Sequence, residues 1–295
     1  MKGNYLSVLK NAKEGAITYY SGNDPSHISH LKNCTLICQI GFTPSLPHSD
    51  TIEFIHVENP QLEFYQLSKQ FKKDYLETDK MVYVERYKSY IHVECKIGQN
   101  VEIGPGCVIG NCTIADNVEI HANITIHSET IIGKNTIIES GTVIGSTGVM
   151  WVWNKGEKVY LEQLGNVVIA EDCRIGSLIE IVRGSANEST VIDKGTCIAH
   201  GTLIGHGCYI GKHCHFANGI KLGGSVYIAD YTFLGCGVIL SPGAKIKGTD
   251  IIIGAGSTVI GTLEKSGVYV GTPARWLKNS TEKLSGVPKW KSKSL

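Results

Sequence analysis

Four of the chain's eleven histidines, His200, His206, His213 and His215, fall close together. A histidine titrates near neutrality, so it can take a proton from an attacking amine or hydroxyl. A histidine on a turn is often only a solvated polar residue, and a second group is needed to single one out. For His206 that group is Gly224, in Leu222-Gly223-Gly224, which becomes a neighbour if segments 18 residues apart stack. A general base beside a bare backbone N–H is the minimum apparatus for acyl transfer. The base takes a proton from the acceptor, and the N–H stabilises the oxyanion that forms on the acyl carbonyl. No serine or cysteine nucleophile is needed when the acceptor attacks a thioester directly.

The element that must position these residues is a repeat. Every sixth position from Ile198 is bulky and apolar: Ile198, Ile204, Ile210, Phe216, Leu222, Ile228, Leu234, Leu240 and Ile246. The register also runs through Ile91, Ile97, Ile103 and Ile109, slips by one residue to Ile114, and continues through Ile120, Ile126, Ile132, Ile138 and Ile144. It reappears at Ile169, Ile175 and Ile181. Period six fits short strands that turn a corner every six residues, with the large residue inward and a small one beside the corner. Cys95, Cys107, Cys173, Cys208 and Cys214 occupy that small inward position and read as core filling, not metal ligands.

This is the hexapeptide pattern of the left-handed parallel β-helix, an exception to the right-handed crossover rule. The resemblance implies three hexapeptides per triangular coil, so that residues 18 apart stack, from about Ile91 to about Val270. It also implies acyltransferases that work as trimers, with active sites in the clefts between prisms. The prisms of γ-class carbonic anhydrases offer a competing zinc reading of His206-Gly207-Cys208. His200 and His206 are six apart, however, which places them on different faces and argues against a metal site.

Composition bounds the rest. Lys+Arg of 28 against Asp+Glu of 27 leaves a net charge of +1, too little to hold a nucleic acid by counterion release. No stretch approaches a membrane span, and Met1-Lys2-Gly3-Asn4-Tyr5 lacks a secretory pattern, so a cytoplasmic protein is expected. The expected organisation is a small α/β nucleotide-binding domain over 1–88, the β-helix over 89–271 with a projecting loop at 145–167, and a short basic tail over 272–295 with room for one modest helix. In the first segment the apolar runs 16–20, 36–40 and 51–57 alternate with the helix-start signals Asp24-Pro25 and Asn59-Pro60. The second signal predicts an amphipathic helix over 60–71, with Phe64, Leu67 and Phe71 on one face. Residues 149–161 read as an aromatic hairpin carrying Trp151 and Trp153, suited to covering a cleft or a neighbouring subunit. A second break in the hexads falls at 183–190.

Taken together, the motifs resemble the UDP-3-O-acylglucosamine N-acyltransferase family of lipid A biosynthesis. Asn59-Pro60 with Leu62, Phe64 and Leu67 is similar to that family's Asn-Pro helix, and Ile17-Thr18-Tyr19 with Asn23 to its uridine-binding strand and turn. Ile144-Gly145-Ser146 through Gln163-Leu164-Gly165 follows its loop pattern. Ile204-Gly205-His206 aligns with the stretch bearing the catalytic histidine, and Gly224 with the oxyanion glycine. The resemblance implies N-acylation of a nucleotide-linked amino sugar, with His206 and Gly224 catalytic and with substrate contacts from His200, Tyr19, Asn23, Trp151, Gln163 and Asn218. The donor is an acyl thioester on acyl carrier protein phosphopantetheine or on coenzyme A, with no further cofactor and no metal. Where the family has an Asn and a Gln before the catalytic histidine, this chain has His200 and Leu203, and a second family histidine aligns with Gly243. Those departures keep open a short-chain N-acyltransferase for a dTDP- or UDP-deoxyamino sugar of a surface polysaccharide.

Overall fold

A computed structural model of the chain describes residues 3–279. It divides into two compact units: Met1–Asp74 with Thr147–Asn166 and Arg183–Ser189, and Tyr75–Ser146 with Val167–Val182 and Thr190–Leu295. No helix among the described residues is long and apolar enough to cross a membrane.

The second unit is a left-handed parallel β-helix. Two-residue strands such as Cys197–Ile198, Leu203–Ile204 and Tyr209–Ile210 each pair in parallel with the strand one coil on. The registers are Ile198↔Phe216, Ile204↔Leu222 and Ile210↔Ile228. Among the described residues three sheets of nine, ten and ten strands result, each ten including one antiparallel end strand, here called the Ile210, Ile198 and Ile204 faces after one residue of each. The hexad residues form one continuous core along the solenoid. The slip before Ile114 is absorbed at one corner, so that Ile97 pairs with Ile114 and Ile103 with Ile120. Both breaks leave the ladder intact, because Ile132 pairs directly with Ile169 and Ile181 with Ile204.

Corners demand a left-handed residue, which glycine adopts freely and asparagine or aspartate tolerates. Gly207 (φ 63°) and Asn117 (φ 57°) show both solutions. Small inward side chains then bond the next corner: Thr196 Oγ1 donates to the Gly211 carbonyl at 2.8 Å and Cys214 Sγ to that of Ala229 at 3.3 Å. Cys107, Cys173, Cys208 and Cys214 are buried, as expected of core filling. Cys95 is only partly buried, since it lies in the first coil, where the core has a neighbour on one side.

The first unit is built on four parallel strands, β1 (Tyr5–Leu6), β2 (Ala16–Tyr20), β3 (Thr35–Gln39) and β4 (Glu53–Val57), in that order. One sheet face buries Leu36, Cys38, Ile28 and Leu31, and the other meets α1 (Pro60–Ser68). Asn59 caps α1 by accepting from the Leu62 N–H at 3.0 Å, with Pro60 in the first turn. The helix is shorter than expected because Lys69–Phe71 tightens into a 3-10 turn. Asp24-Pro25 likewise opens only a 3-10 turn, Pro25–Ile28, since the polar residues that follow offer no apolar stripe. The hairpin is present, Trp151–Asn154 antiparallel to Glu157–Tyr160, and turns through Lys155 and Gly156, both at positive φ. Val159 and Leu161 pack with Phe64 and Leu67, while Trp153 stays exposed.

In the tail, Arg275–Lys278 is a strand antiparallel to Gly267–Val270, not a helix. Trp276 anchors it by donating from Nε1 to the Ser266 carbonyl at 3.2 Å. Residues 280–295 lie outside the described residues.

Ile131 and Ile132 are neighbours of one type that point opposite ways, 43% and 0% exposed. Ile132→Ala is expected to cost about 2–5 kcal/mol in urea unfolding, and Ile131→Ala about 0.5 kcal/mol. Equal losses would contradict the inward assignment of the hexad residue.

Candidate active site

His206 is the first turn residue after the strand Leu203–Ile204, and Gly224 holds the same position one coil on, after Lys221–Leu222. The two corners are tied by Ser225 N–H donating to the His206 carbonyl at 2.7 Å. The imidazole of His206 lies flush against Gly224. A Cβ there would fall 2.6 Å from Cδ2 and 2.7 Å from Cε1 of the ring and would overlap Nε2. Only glycine fits the position while the ring stays in place. Gly205 is required in the same way, because its Cβ would press on the Gly223–Gly224 peptide at 2.7 Å.

Among the described residues the amide of this corner is open, as are those of Ala122, Asn218 and Asp230 at the matching place on other corners. At several other corners the first-turn N–H is covered by a side chain from the coil above. Gln99 N–H donates to Asp116 Oδ1 at 2.7 Å, Asn111 N–H to Ser128 Oγ at 2.8 Å, Ser177 N–H to His200 Nδ1 at 2.9 Å and Lys212 N–H to Asp230 Oδ1 at 2.9 Å. Above Gly224 the chain places Pro242, against which Gly223 packs and which brings no acceptor. Among the described residues the Gly224 N–H donates to nothing. The site therefore offers a half-buried imidazole and an open amide side by side, the two groups an acyl transfer needs. Pro242 was not singled out in the sequence, although its place one coil above Gly224 marks the missing cap.

The structure sets His200 and Asn218 on a different corner, after the Ile198 face. They stack there on successive coils, with Gly219 N–H donating to the His200 carbonyl at 2.9 Å. His200 Nδ1 accepts the Ser177 N–H and lies 3.5 Å from Glu139 Oε2, which also accepts from Ser177 Oγ at 3.2 Å. His200 and His206 thus stand on separate corners of one prism.

The remaining expected contacts belong to the first unit. Tyr19 leans on Phe64, ring centroids 5.0 Å apart, and burial together with nearby Tyr65 pushes its phenol up to about 12. Asn23 is exposed just before the Asp24-capped turn. Trp151 lies edge-to-face with Trp153 at 4.8 Å, with the Lys158 ammonium 4.5 Å from its ring. Gln163 is buried and accepts the Gly148 N–H through Oε1. No group of three or more His, Cys, Asp or Glu side chains among the described residues is arranged to hold a metal ion.

The raised Tyr19 pKa has a consequence for stability. The folded state favours the neutral phenol more than the unfolded chain does, so that contribution is complete below pH 10 or so and is lost as pH rises toward 12. Urea unfolding is expected to show stability falling across that window, with a shallower fall in Tyr19→Phe. An unchanged slope in the variant would contradict the placement of the phenol.

Comparison with known proteins bears on what the prism does. Residues 111–146 match the model for bacterial transferase hexapeptide repeats (six repeats). No curated protein matches the sequence significantly. A solved UDP-N-acetylglucosamine acyltransferase is 28% identical, with 62% of this chain and 69% of that chain covered, at a TM-score of 0.56. The Francisella novicida UDP-N-acetylglucosamine acyltransferase is 28% identical over 63% of this chain and 66% of its own, at a TM-score of 0.57. LpxA from Acinetobacter baumannii is 26% identical over 63% and 73%, at a TM-score of 0.55. Residues 111–146 thus carry hexapeptide transferase repeats, and the likeness to these acyltransferases makes the chain an enzyme of the acyltransferase class.

Proposed function

We propose that the protein is an N-acyltransferase that moves an acyl group from a thioester to the amine of a nucleotide-linked amino sugar. The observation that carries this reading is the His206 imidazole lying against Gly224, whose N–H is open. In the proposed step the sugar amine attacks the thioester carbonyl, and His206 takes the proton that the amine loses as the C–N bond forms. The Gly224 N–H stabilises the oxyanion of the tetrahedral intermediate. Collapse then breaks the C–S bond, and His206 returns the proton to the leaving thiolate.

The Asn59-capped helix and the strand through Ile17, Thr18 and Tyr19, both present in the fold, support a nucleotide-sugar acceptor of the N-acyltransferase kind. Likeness to UDP-N-acetylglucosamine acyltransferases supports nucleotide-sugar chemistry on this prism. The donor thioester is carried by acyl carrier protein phosphopantetheine or by coenzyme A. His200 and Asn218 on the β-helix, and separately Tyr19, Asn23, Trp151 and Gln163 on the first unit, are proposed as substrate contacts.

We place the enzyme in the cytoplasm as a homotrimer. An outward apolar column on the Ile210 face, with Ile131 paired to Val168, Val191 to Tyr209 and Tyr209 to Tyr227, gives a neighbouring copy a surface to cover. A short-chain enzyme for a dTDP- or UDP-deoxyamino sugar is the second reading, favoured by His200 and Leu203 in place of the family's Asn and Gln.

A thiol-release assay with UDP- and dTDP-amino sugars, against short-chain acyl-CoA and 3-hydroxyacyl carrier protein, separates the two readings. Acylated UDP-glucosamine with carrier protein identifies lipid A chemistry, and a dTDP-deoxyamino sugar with acyl-CoA the short-chain enzyme. His206→Ala is expected to lower kcat by about a hundredfold or more, and Gly224→Ala by a comparable factor through displacement of the ring. No turnover with any pair, or wild-type rates in His206→Ala, would sink the mechanism.

A further inference from the structure

We infer that Cys208 is a positioning residue for the oxyanion amide: its thiol holds the Gly223–Gly224 peptide so that the Gly224 N–H points outward beside His206. This rests on the reading of His206 and Gly224 given above. Cys208 is fully buried, two residues after His206 in the same coil, and its Sγ donates to the Gly223 carbonyl at 3.1 Å. In a trans peptide the C=O and the following N–H point in opposite directions. Drawing the Gly223 carbonyl in toward a core thiol therefore turns the Gly224 N–H out toward the surface.

The clamp recurs along the solenoid, and what is particular here is the imidazole beside the clamped peptide and the glycine on each side of it. Thr142 and Thr196 hold the carbonyls of Gly176 and Gly211, each at 2.8 Å. In both cases the far side of the same peptide is held too, since Ser177 N–H donates to His200 Nδ1 and Lys212 N–H to Asp230 Oδ1. Like the Ala229–Asp230 peptide clamped by Cys214, the Gly223–Gly224 peptide has no such second hold among the described residues. Its two flanking residues are both glycine, which imposes the least steric restraint on how a peptide plane turns. A catalytic amide must be open on its N–H side, so its orientation has to come from the carbonyl side, and Cys208 is the group that supplies it.

The test compares three kinds of variant in the thiol-release assay and in crystal structures. Cys208→Ala removes the donor and leaves a small apolar side chain. It is expected to lower kcat about tenfold or more, a fraction of the effect of deleting an oxyanion donor, with KM within about twofold. Cys208→Ser and Cys208→Thr restore a donor of the kind other corners use and are expected to stay within about threefold of wild type. Cys214→Ala removes the equivalent thiol contact to Ala229 on another corner and should leave kcat unchanged while lowering stability by a similar amount.

In the Cys208→Ala crystal structure the Gly223–Gly224 peptide should be turned or doubly positioned. Wild-type kcat in Cys208→Ala, an equal kcat loss in Cys214→Ala, or an unmoved peptide plane would each overturn the inference. Absence of turnover in the wild-type protein would instead overturn the acyl-transfer reading, and the crystal structure would still decide whether the thiol holds the peptide.

Discussion

Parallel pairing of each two-residue strand with the strand one coil on is the interaction from which the rest of the second unit follows. It fixes the rise between coils at about 4.8 Å, and it brings residues 18 apart in the chain into direct register, as Ile204 with Leu222. Corner residues inherit that register. His206 touches Gly224 because of it, and Gly223 packs against Pro242, which brings no acceptor to the Gly224 N–H. A shift of one residue in the ladder would put Gly223 or Ser225 against the imidazole and a different amide at the surface. The chemistry of the site is thus a property of the coil register, which the buried hexad residues enforce along the whole core.

The same register explains why the solenoid tolerates two insertions without losing its ladder. Ile132 still pairs with Ile169 and Ile181 with Ile204, so the inserted residues leave at one corner and return to the next strand in phase. What they add goes to the first unit: the hairpin's Val159 and Leu161 join Phe64 and Leu67 in its core, and Val8 N–H donates to the Ala186 carbonyl at 2.8 Å. The repeat brings the His206 imidazole and the Gly224 amide together, while the departures from the repeat complete a unit carrying Tyr19, Asn23, Trp151 and Gln163.

Period six was legible because each coil repeats one physical requirement, a large residue inward and a small one by the corner. That requirement located the core and four of the five inward cysteines, while the His206–Gly224 neighbourhood also needed the three-hexapeptide coil that the resemblance implied. The shorter segments were less legible. Asp24-Pro25 carries a helix-start signal, but helix length is decided by the apolar stripe that follows, and only Ile28 and Leu31 follow it inward. Arg275–Lys278 turned out as a strand because Trp276 is tied to Ser266 and lies under the Lys265 ammonium, contacts that local propensity does not reveal. The openness of the Gly224 amide was half legible: glycine was visible, but the absence of a cap depends on Pro242, a residue that attracts no notice until the coils are stacked. His200 and Asn218 stack on each other, apart from His206, which six-residue spacing already implied.

The central claim is that an acyl carbonyl sits between the His206 imidazole and the Gly224 N–H. A crystal structure of the protein with a nucleotide amino sugar and a non-hydrolysable acyl-thioester analogue tests it most directly. The account predicts the analogue's carbonyl oxygen at about 3 Å from the Gly224 nitrogen and the sugar amine within hydrogen-bond reach of His206. Ligands bound with the carbonyl away from Gly224, or with the amine facing another residue, would contradict it.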